Sequence, residues 1–389
     1  MMRESAGKFF SMLNSRMIYR VQAAHVIRSV ALSFVSVYVP AFLLTNGYSL
    51  RETILFFVVY HGVGLMAVFT VVVPMLRRWG MVTTIRWYYP LQMLFLGLLL
   101  FGSGAHLSVW TAAIVGGIAN MVYYVPLNVL FMRHTDRETI AKDFSVFFAL
   151  PTIFGLVGPL LGAALVVSLG FWATFIVAFL GLLLSSLPLR ALENDERIDL
   201  RFSETLPMLR RRKFLFFLEG FDNIVEESEW LWGIIVYLLI GSLATPGVVG
   251  SLESLGGALF TIFVGRYVNK QKSTMATLFV SIIFLVLVWC ARFFIGTPLP
   301  AYLITVSSSF IMTLFLVSYF AMIYRKVKGD QDTEFIILRE IPTVLGRMVV
   351  FGVAILVASD IERFFYLPMA AMGILLIAMA AMRKQLASA

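Results

Sequence analysis

The chain has 389 residues, of which 60% are hydrophobic and 14% charged, a balance outside the range of soluble globular domains. Its formal charge of +9 is carried by short basic clusters between apolar runs, as loop charge on one side of a membrane is, so composition argues against a soluble enzyme and against a nucleic-acid binder. The single cysteine, Cys290, lies in an apolar run and rules out an intramolecular disulfide, and the amino-terminal stretch has no short apolar core followed by a cleavage site.

Hydropathy predicts twelve membrane-spanning helices at 18–44, 52–75, 83–103, 108–132, 145–168, 171–189, 214–241, 246–265, 274–295, 299–323, 336–358 and 362–382. Alternating ten-residue strands are absent, so helices do the spanning. Lys and Arg crowd alternate connections: Arg3, Lys8, Arg16 and Arg20; Arg77, Arg78 and Arg86; Arg133, Arg137 and Lys142; 190–213, with Arg201 and the run Arg210 to Lys213; Arg266, Lys270 and Lys272; Arg325, Lys326 and Lys328; Arg383 and Lys384. The intervening connections near 104–107, 169–170, 242–245 and 359–361 carry none. The positive-inside rule therefore places both termini in the cytoplasm, as an even number of spans requires, in an inner or plasma membrane.

The seventh predicted span holds EGFDNIVEESEWLWG, five carboxylates within eleven residues. Lys213 before it and Arg266 after the eighth span both fall on the basic side, so two crossings must fit between them. The run 246–265 supplies one, and the other must pass through 214–241, which carries Asp222, Glu226 and Glu227 into the bilayer.

The longest polar connection, 190–213, has six spans on either side, giving an amino-terminal bundle over 1–189, a linker over 190–213 and a carboxy-terminal bundle over 214–389. Pro151-Thr-Ile-Phe-Gly155 in span five recurs as Pro342-Thr-Val-Leu-Gly346 in span eleven, 191 residues on, and the second-to-third and eighth-to-ninth connections share about that offset.

Twelve spans, a six-plus-six layout and a basic central loop resemble the major facilitator superfamily of secondary transporters. The family's loop signature, Gly-x-x-x-Asp-Arg-x-Gly-Arg/Lys, has a partial copy in Gly265-Arg266-Tyr267-Val268-Asn269-Lys270-Gln271-Lys272, with Asn269 in place of the aspartate. In the first half only Arg78-Trp79-Gly80 survives, with Arg77 at the aspartate position. Gly155, Gly158, Pro159, Gly162 and Ala163 in span five are similar to the segment that the family's antiporters carry there, although small residues at this spacing equally serve close helix packing. The resemblance implies an all-α membrane protein of two pseudo-symmetric six-helix bundles that rock about a central cavity lined by spans one, four, seven and ten. It implies gating contacts from Arg78, Gly80, Gly265, Arg266, Asn269 and Lys270.

Charges near the middle of a bilayer cost about 2.5–3.5 kcal/mol each and persist where they pair, meet water or work. On span seven Glu219, Asp222, Glu226, Trp230, Gly233 and Tyr237 share one helical face, and span one offers His25, Arg28, Ser29 and Ser36. Arg28 and Glu219 lie at similar depth and are expected to pair across the bundles, and Arg347 is expected to pair with Glu226. The surplus acids have no partner in low dielectric, which favours their protonated form and makes Asp222, Glu226 and Glu219 candidates for proton coupling. Asn120, Tyr124 and Asn128 recur every four residues on span four and are expected to line the cavity with Trp230, Tyr237, Met312 and Tyr319. Tyr60 and His61 read as packing residues, Arg339, Glu340 and Thr343 as interfacial, and Glu253 as an outer-gate or helix contact.

The four histidines are scattered, with no paired metal-ligand spacing, and neither a phosphate cradle nor a nucleophile elbow is present. The chain reads as a monomeric secondary transporter without cofactor or metal, in which a proton gradient drives a small solute, export by antiport being slightly preferred to uptake by symport. A transport-inactive membrane scaffold or sensor is the alternative. The acidic, aromatic face of span seven suits a cation, and Arg28 with His25 suits an anion, so sequence leaves the substrate open.

Overall fold

The computed structural model describes residues 16–102, 106–136, 138–190, 192, 196–198, 205–271, 274–327 and 332–381. The basic residues Arg3, Lys8, Arg137, Arg201, Lys272, Lys328, Arg383 and Lys384 lie outside them. All regular structure among the described residues is helical. Span one covers Arg16–Ser33 and Val39–Thr45, span two Leu50–Trp79, span three Met81–Gly102, span four His106–Arg133, span five Ile140–Gly155 and Gly158–Leu169, and span six Phe171–Arg190. After a short helix at Thr205–Arg211, span seven covers Lys213–Ile240, span eight Thr245–Asn269, span nine Met275–Arg292 and span ten Pro298–Val327. Span eleven follows the short helix Asp332–Leu338 as Glu340–Leu356, and span twelve is Tyr366–Ala381.

Nine of these segments are long and apolar enough to cross a membrane by length and composition alone. The remaining ones carry the polar load: span three holds Arg86 and Gln92, span seven its carboxylates, and span eleven Glu340 and Arg347. Span seven was also legible through loop charge and parity.

Within the first half, span one packs on spans five and six, span four on spans two and three, and span three on span six. Six spans later the same pairs recur: seven with eleven and twelve, ten with eight and nine, and nine with twelve. The repeated Pro-Thr-x-x-Gly segments do equivalent jobs, since Gly155 faces Ser29 and Ser33 of span one and Gly346 faces Gly220 and Asn223 of span seven. The halves meet along two seams, span five with span eight and span two with span eleven, which are themselves related by the six-span offset.

Prolines shape the spans that form the seams. Span two passes through a π-helical turn at Val68–Val72 just before Pro74, and span five breaks at Leu156 and Val157 just before Pro159. A break inside a membrane frees backbone groups that lipid cannot satisfy. Here span eight supplies the missing partner: the Ser251 hydroxyl donates to the Leu156 carbonyl at 3.0 Å and accepts from the Leu160 N–H at 3.2 Å. One side chain thus sits in the rung between residues i and i+4 of span five. Beside it Gly247 lies against Tyr38, Pro159 and Ala163, and Tyr38 donates to the Pro159 carbonyl at 3.0 Å.

Gly346 has no room for a side chain, because an added Cβ would meet the Gly220 carbonyl oxygen, whereas one at Gly373 meets nothing. Gly346→Val should therefore cost about 1–3 kcal/mol and lower the unfolding temperature in detergent, while Gly373→Ala leaves it unchanged or raised. Equal behaviour of the two variants would show that spans seven and eleven do not approach this closely.

Candidate functional site

Between the halves lies a cavity of about 800 Å³, within the size range of small-molecule sites. Spans one to five and seven, eight, ten and eleven contribute to its wall, so the pore-lining set is wider than the four spans expected. Aromatic contacts between the halves flank it at both ends. Toward the end that carries Arg78, Arg133 and Arg325, the Phe144 ring lies 4.6 Å from Phe320, and Phe131 approaches Tyr324. Toward the other end, Phe57 lies 4.7 Å from Trp230 and 5.9 Å from Phe351.

Span seven presents Asn223, Glu226, Glu227 and Trp230 to the cavity, a face at three- and four-residue spacing but turned from the one expected. Glu219 and Asp222 stand behind that wall, wholly buried, and neither carboxyl group has a hydrogen-bond partner among the described residues. The turn follows from packing. Gly220 and Asn223 must face Gly346 of span eleven, where Asn223 Nδ2 donates to the Glu219 carbonyl at 2.9 Å and to Thr343 Oγ1 at 3.3 Å.

The charge pairs differ from the expected ones for the same reason. Arg347 Nε lies 3.1 Å from Glu227 Oε2, not on Glu226, and His61 Nε2 of span two lies 3.9 Å from Glu227 Oε1 across the seam. Glu219 sits 3.8 Å from Arg339 Nη1, not on Arg28. Glu229 receives Arg292 Nη2 at 2.7 Å, with Ser308 bonded to both and the guanidinium stacked on Trp289 and Trp232. Glu226 lines the cavity and makes no ion pair among the described residues.

Arg28 lies in the cavity wall, 6% exposed. Its guanidinium carbon stands 4.0 Å from the centre of the Tyr123 ring, 4.7 Å from Tyr88 and 5.1 Å from Tyr124. Its Nη1 donates a long hydrogen bond to the Tyr124 hydroxyl at 3.4 Å, and Nε has no acceptor among the described residues. His25 is behind it, stacked on Phe147 with Nδ1 2.7 Å from the Tyr123 hydroxyl, and does not line the cavity.

Ser36, Asn120, Tyr124, Asn128 and Trp230 line the cavity as their spacing suggests. Tyr237 lines a separate pocket of about 40 Å³ with Glu253 and Val37, and Trp230 borders both spaces. Span ten is turned away from its expected orientation. Met312 and Tyr319 are buried outside the cavity, Thr305 accepts from Trp232 Nε1, and Thr313, Val317, Phe320 and Tyr324 form the wall instead. Tyr60, His61, Arg339, Glu340 and Thr343, read as packing or interfacial from sequence, all face the cavity. A signal for the last three was present, since 339/340, 343 and 347 follow helical spacing along span eleven.

At the loop motifs, Gly80 adopts φ +85°, a conformation that favours glycine, and the N–H of Met81 bonds the Glu196 carbonyl of the linker at 3.0 Å. Gly265 lies against Ser145 and Ala141 of span five. Arg78, Arg266 and Lys270 are exposed at the basic end, with Asn269 half-buried beside them. Gly158 and Gly162 lie against Ser33, Phe34 and Tyr38 of span one, so close helix contact accounts for the small residues of span five.

The sequence matches no protein-family model, and no curated protein is similar to it. Solved structures are similar in fold. A major facilitator superfamily transporter, FucP, in its outward conformation superposes with a TM-score of 0.70 at 10% identity, over 93% of this chain and 97% of that one. A bacterial homologue of the iron transporter ferroportin in an outward-facing state gives 0.66 at 12% identity, over 94% and 99%. A structure described for substrate recognition in proton-dependent oligopeptide transporters gives 0.71 at 12%, over 96% and 100%. The chain thus has the twelve-helix fold of the major facilitator superfamily.

The Glu227–Arg347 pair gives a test of the site's electrostatics. Removing one member strands the other in low dielectric, so Arg347→Gln or Glu227→Gln alone should each cost about 3 kcal/mol, and the double variant should recover most of the loss. Additive losses in thermal unfolding would show that the two side chains do not interact.

Proposed function

We propose that the protein is a secondary transporter in which a small solute occupies the central cavity and the halves rock along their two seams to expose it to either side of the membrane in turn. One observation carries this reading. The cavity lies between two halves of the same internal architecture, and groups from both halves furnish it: Arg28, Asn120 and Tyr124 from the first, Glu226, Glu227 and Trp230 from the second. Aromatic contacts flank it at each end and can separate one at a time. With both termini on the cytoplasmic side, the exposed basic loops face the cytoplasm.

We assign proton coupling to Glu226, with Asp222 as its buried reserve. Glu226 borders the cavity without an ion-pair partner among the described residues, whereas Glu227 is engaged by Arg347 and Glu219 by Arg339. The proton-dependent oligopeptide transporter and the fucose:proton symporter among the solved structures of this fold give precedent for coupling of this kind. The small residues of span five give no support to antiport over symport, since close helix contact explains them.

The test is proton flux in proteoliposomes, read with an internal pH dye while a panel of organic anions, cations and neutral solutes is added outside. Wild type should show solute-dependent proton movement, and Glu226→Gln should lose the coupling while still binding solute. A chain that moves neither protons nor solutes under any imposed gradient would favour the scaffold or sensor instead.

A further inference from the structure

We propose that the solute is an organic anion and that Arg28 is the residue that receives its carboxylate or other oxyanion group; this deepens the transporter reading and rests on it. The argument begins with an imbalance. Two buried cations in the carboxy-terminal half, Arg339 near Glu219 and Arg292 on Glu229, have carboxylate partners, as does the half-buried Arg347 on Glu227. Arg28, equally buried, has none among the described residues. Its surroundings are three tyrosine faces and a long hydrogen bond.

Tyrosine faces stabilise a cation, but less than a counter-ion does, and they leave the in-plane N–H donors of the guanidinium unused. A guanidinium in such a pocket is oriented and only partly neutralised. Lying in the cavity wall, it can be neutralised by a group arriving through the cavity. Arginine's planar fork suits a carboxylate or phosphate, and the polar side chains of Asn120 and Asn128 on the same half can bond its remaining oxygens.

The structure also weakens the case for a cation. Tyr237 belongs to the smaller pocket and Trp232 is tied to Thr305, so of the aromatic residues expected on that face of span seven only Trp230 reaches the cavity. Of its acids, Glu227 is already matched by Arg347, and Glu219 and Asp222 stand behind the wall.

A consequence follows for coupling. An anion entering the cavity is repelled by an ionised Glu226 and less so by a protonated one, so solute and proton assist each other's binding and symport is the natural sense. The charged groups that share the cavity wall with Glu226 are Glu227 of span seven, Arg339, Glu340 and Arg347 at span eleven, and Arg28 of span one, with Glu219 and Asp222 behind the wall.

The experiment uses full-length protein in detergent at neutral pH. Benzoate, phenyl phosphate, benzamide and benzylamine, closely related in size and differing in charge, are titrated by calorimetry and by shift in unfolding temperature. Benzoate or phenyl phosphate should bind, and whichever binds more tightly identifies the oxyanion; benzamide and benzylamine should not compete. Arg28→Gln should weaken that binding by roughly ten- to a hundredfold, and Arg28→Lys by less. Should Arg28→Gln fail to fold, the comparison on wild type still decides. Binding of the amine or amide as tight as that of the anions, no binding of either anion, or full anion binding by a folded Arg28→Gln overturns the proposal. Flux separates this inference from the transporter reading: an anion that binds through Arg28 but never crosses proteoliposomes sinks transport and spares the site, whereas coupled flux of a cation does the reverse.

Discussion

Every arrangement described here answers one constraint, that a charge carried into an apolar layer must be matched or wetted. Span seven brings five carboxylates into the bundle, and the fold disposes of three by drawing a cation from a neighbouring helix to each. Two of these cations come from span eleven and one from span nine, so the ion pairs also fix how those helices are turned about span seven. That accounts for the cavity wall. Once Glu227 reaches Arg347 and Gly220 meets Gly346, the face left toward the centre is the one bearing Asn223, Glu226 and Trp230. A pair buried this way adds little net stability, but the loss of one partner is costly, and a costly alternative is what makes the orientation specific.

The backbone obeys the same constraint in a different form. Pro159 interrupts span five within the membrane, and the resulting gap in its hydrogen-bond ladder is occupied by Ser251 from the other half. An intramembrane break is tolerable only where protein supplies the missing bonds. The arrangement has a second property that bears on movement between halves. If Ser251 withdraws, the Leu156 carbonyl and Leu160 N–H stand at the i and i+4 positions of a helix and can bond each other, so separation along this seam need not leave a bare polar pair in lipid.

Much of the fold was legible because it rests on local signals. Apolar runs, loop charge and parity placed all twelve spans within a few residues, including the acid-rich one, and the Pro-Thr-x-x-Gly repeat marked the two glycines that seat each half's first and fifth helices together. Orientation about each helix axis was much less legible. Sequence spacing shows which residues share a face, not where that face points, and the answer depends on contacts from other spans. Span seven is turned by about half a residue step of helical rotation from the expected face, and span ten more fully, because Thr305 and Ser308 are consumed by Trp232 and Arg292 of other spans. Arg339 and Glu340 read as interfacial because they flank the start of a span, yet the break before Glu340 lets the chain carry both into the cavity wall.

The two halves share a frame but not a charge pattern, and that difference shapes the cavity. In the carboxy-terminal half three acids of span seven are paired with arginines, and the cavity wall offers carboxylates at Glu226 and Glu340 beside the Glu227–Arg347 pair. The amino-terminal half contributes a cation held by aromatic faces and a long hydrogen bond to Tyr124, with asparagines on span four lining the same cavity. A cavity with carboxylates unpaired among the described residues on one side and an incompletely neutralised cation on the other is polarised before any ligand enters. The halves therefore need not divide the work equally. In the function proposed above, the first holds the charged group of the solute and the second presents an ionisable one, which is the division that coupling two ligands through one cavity requires.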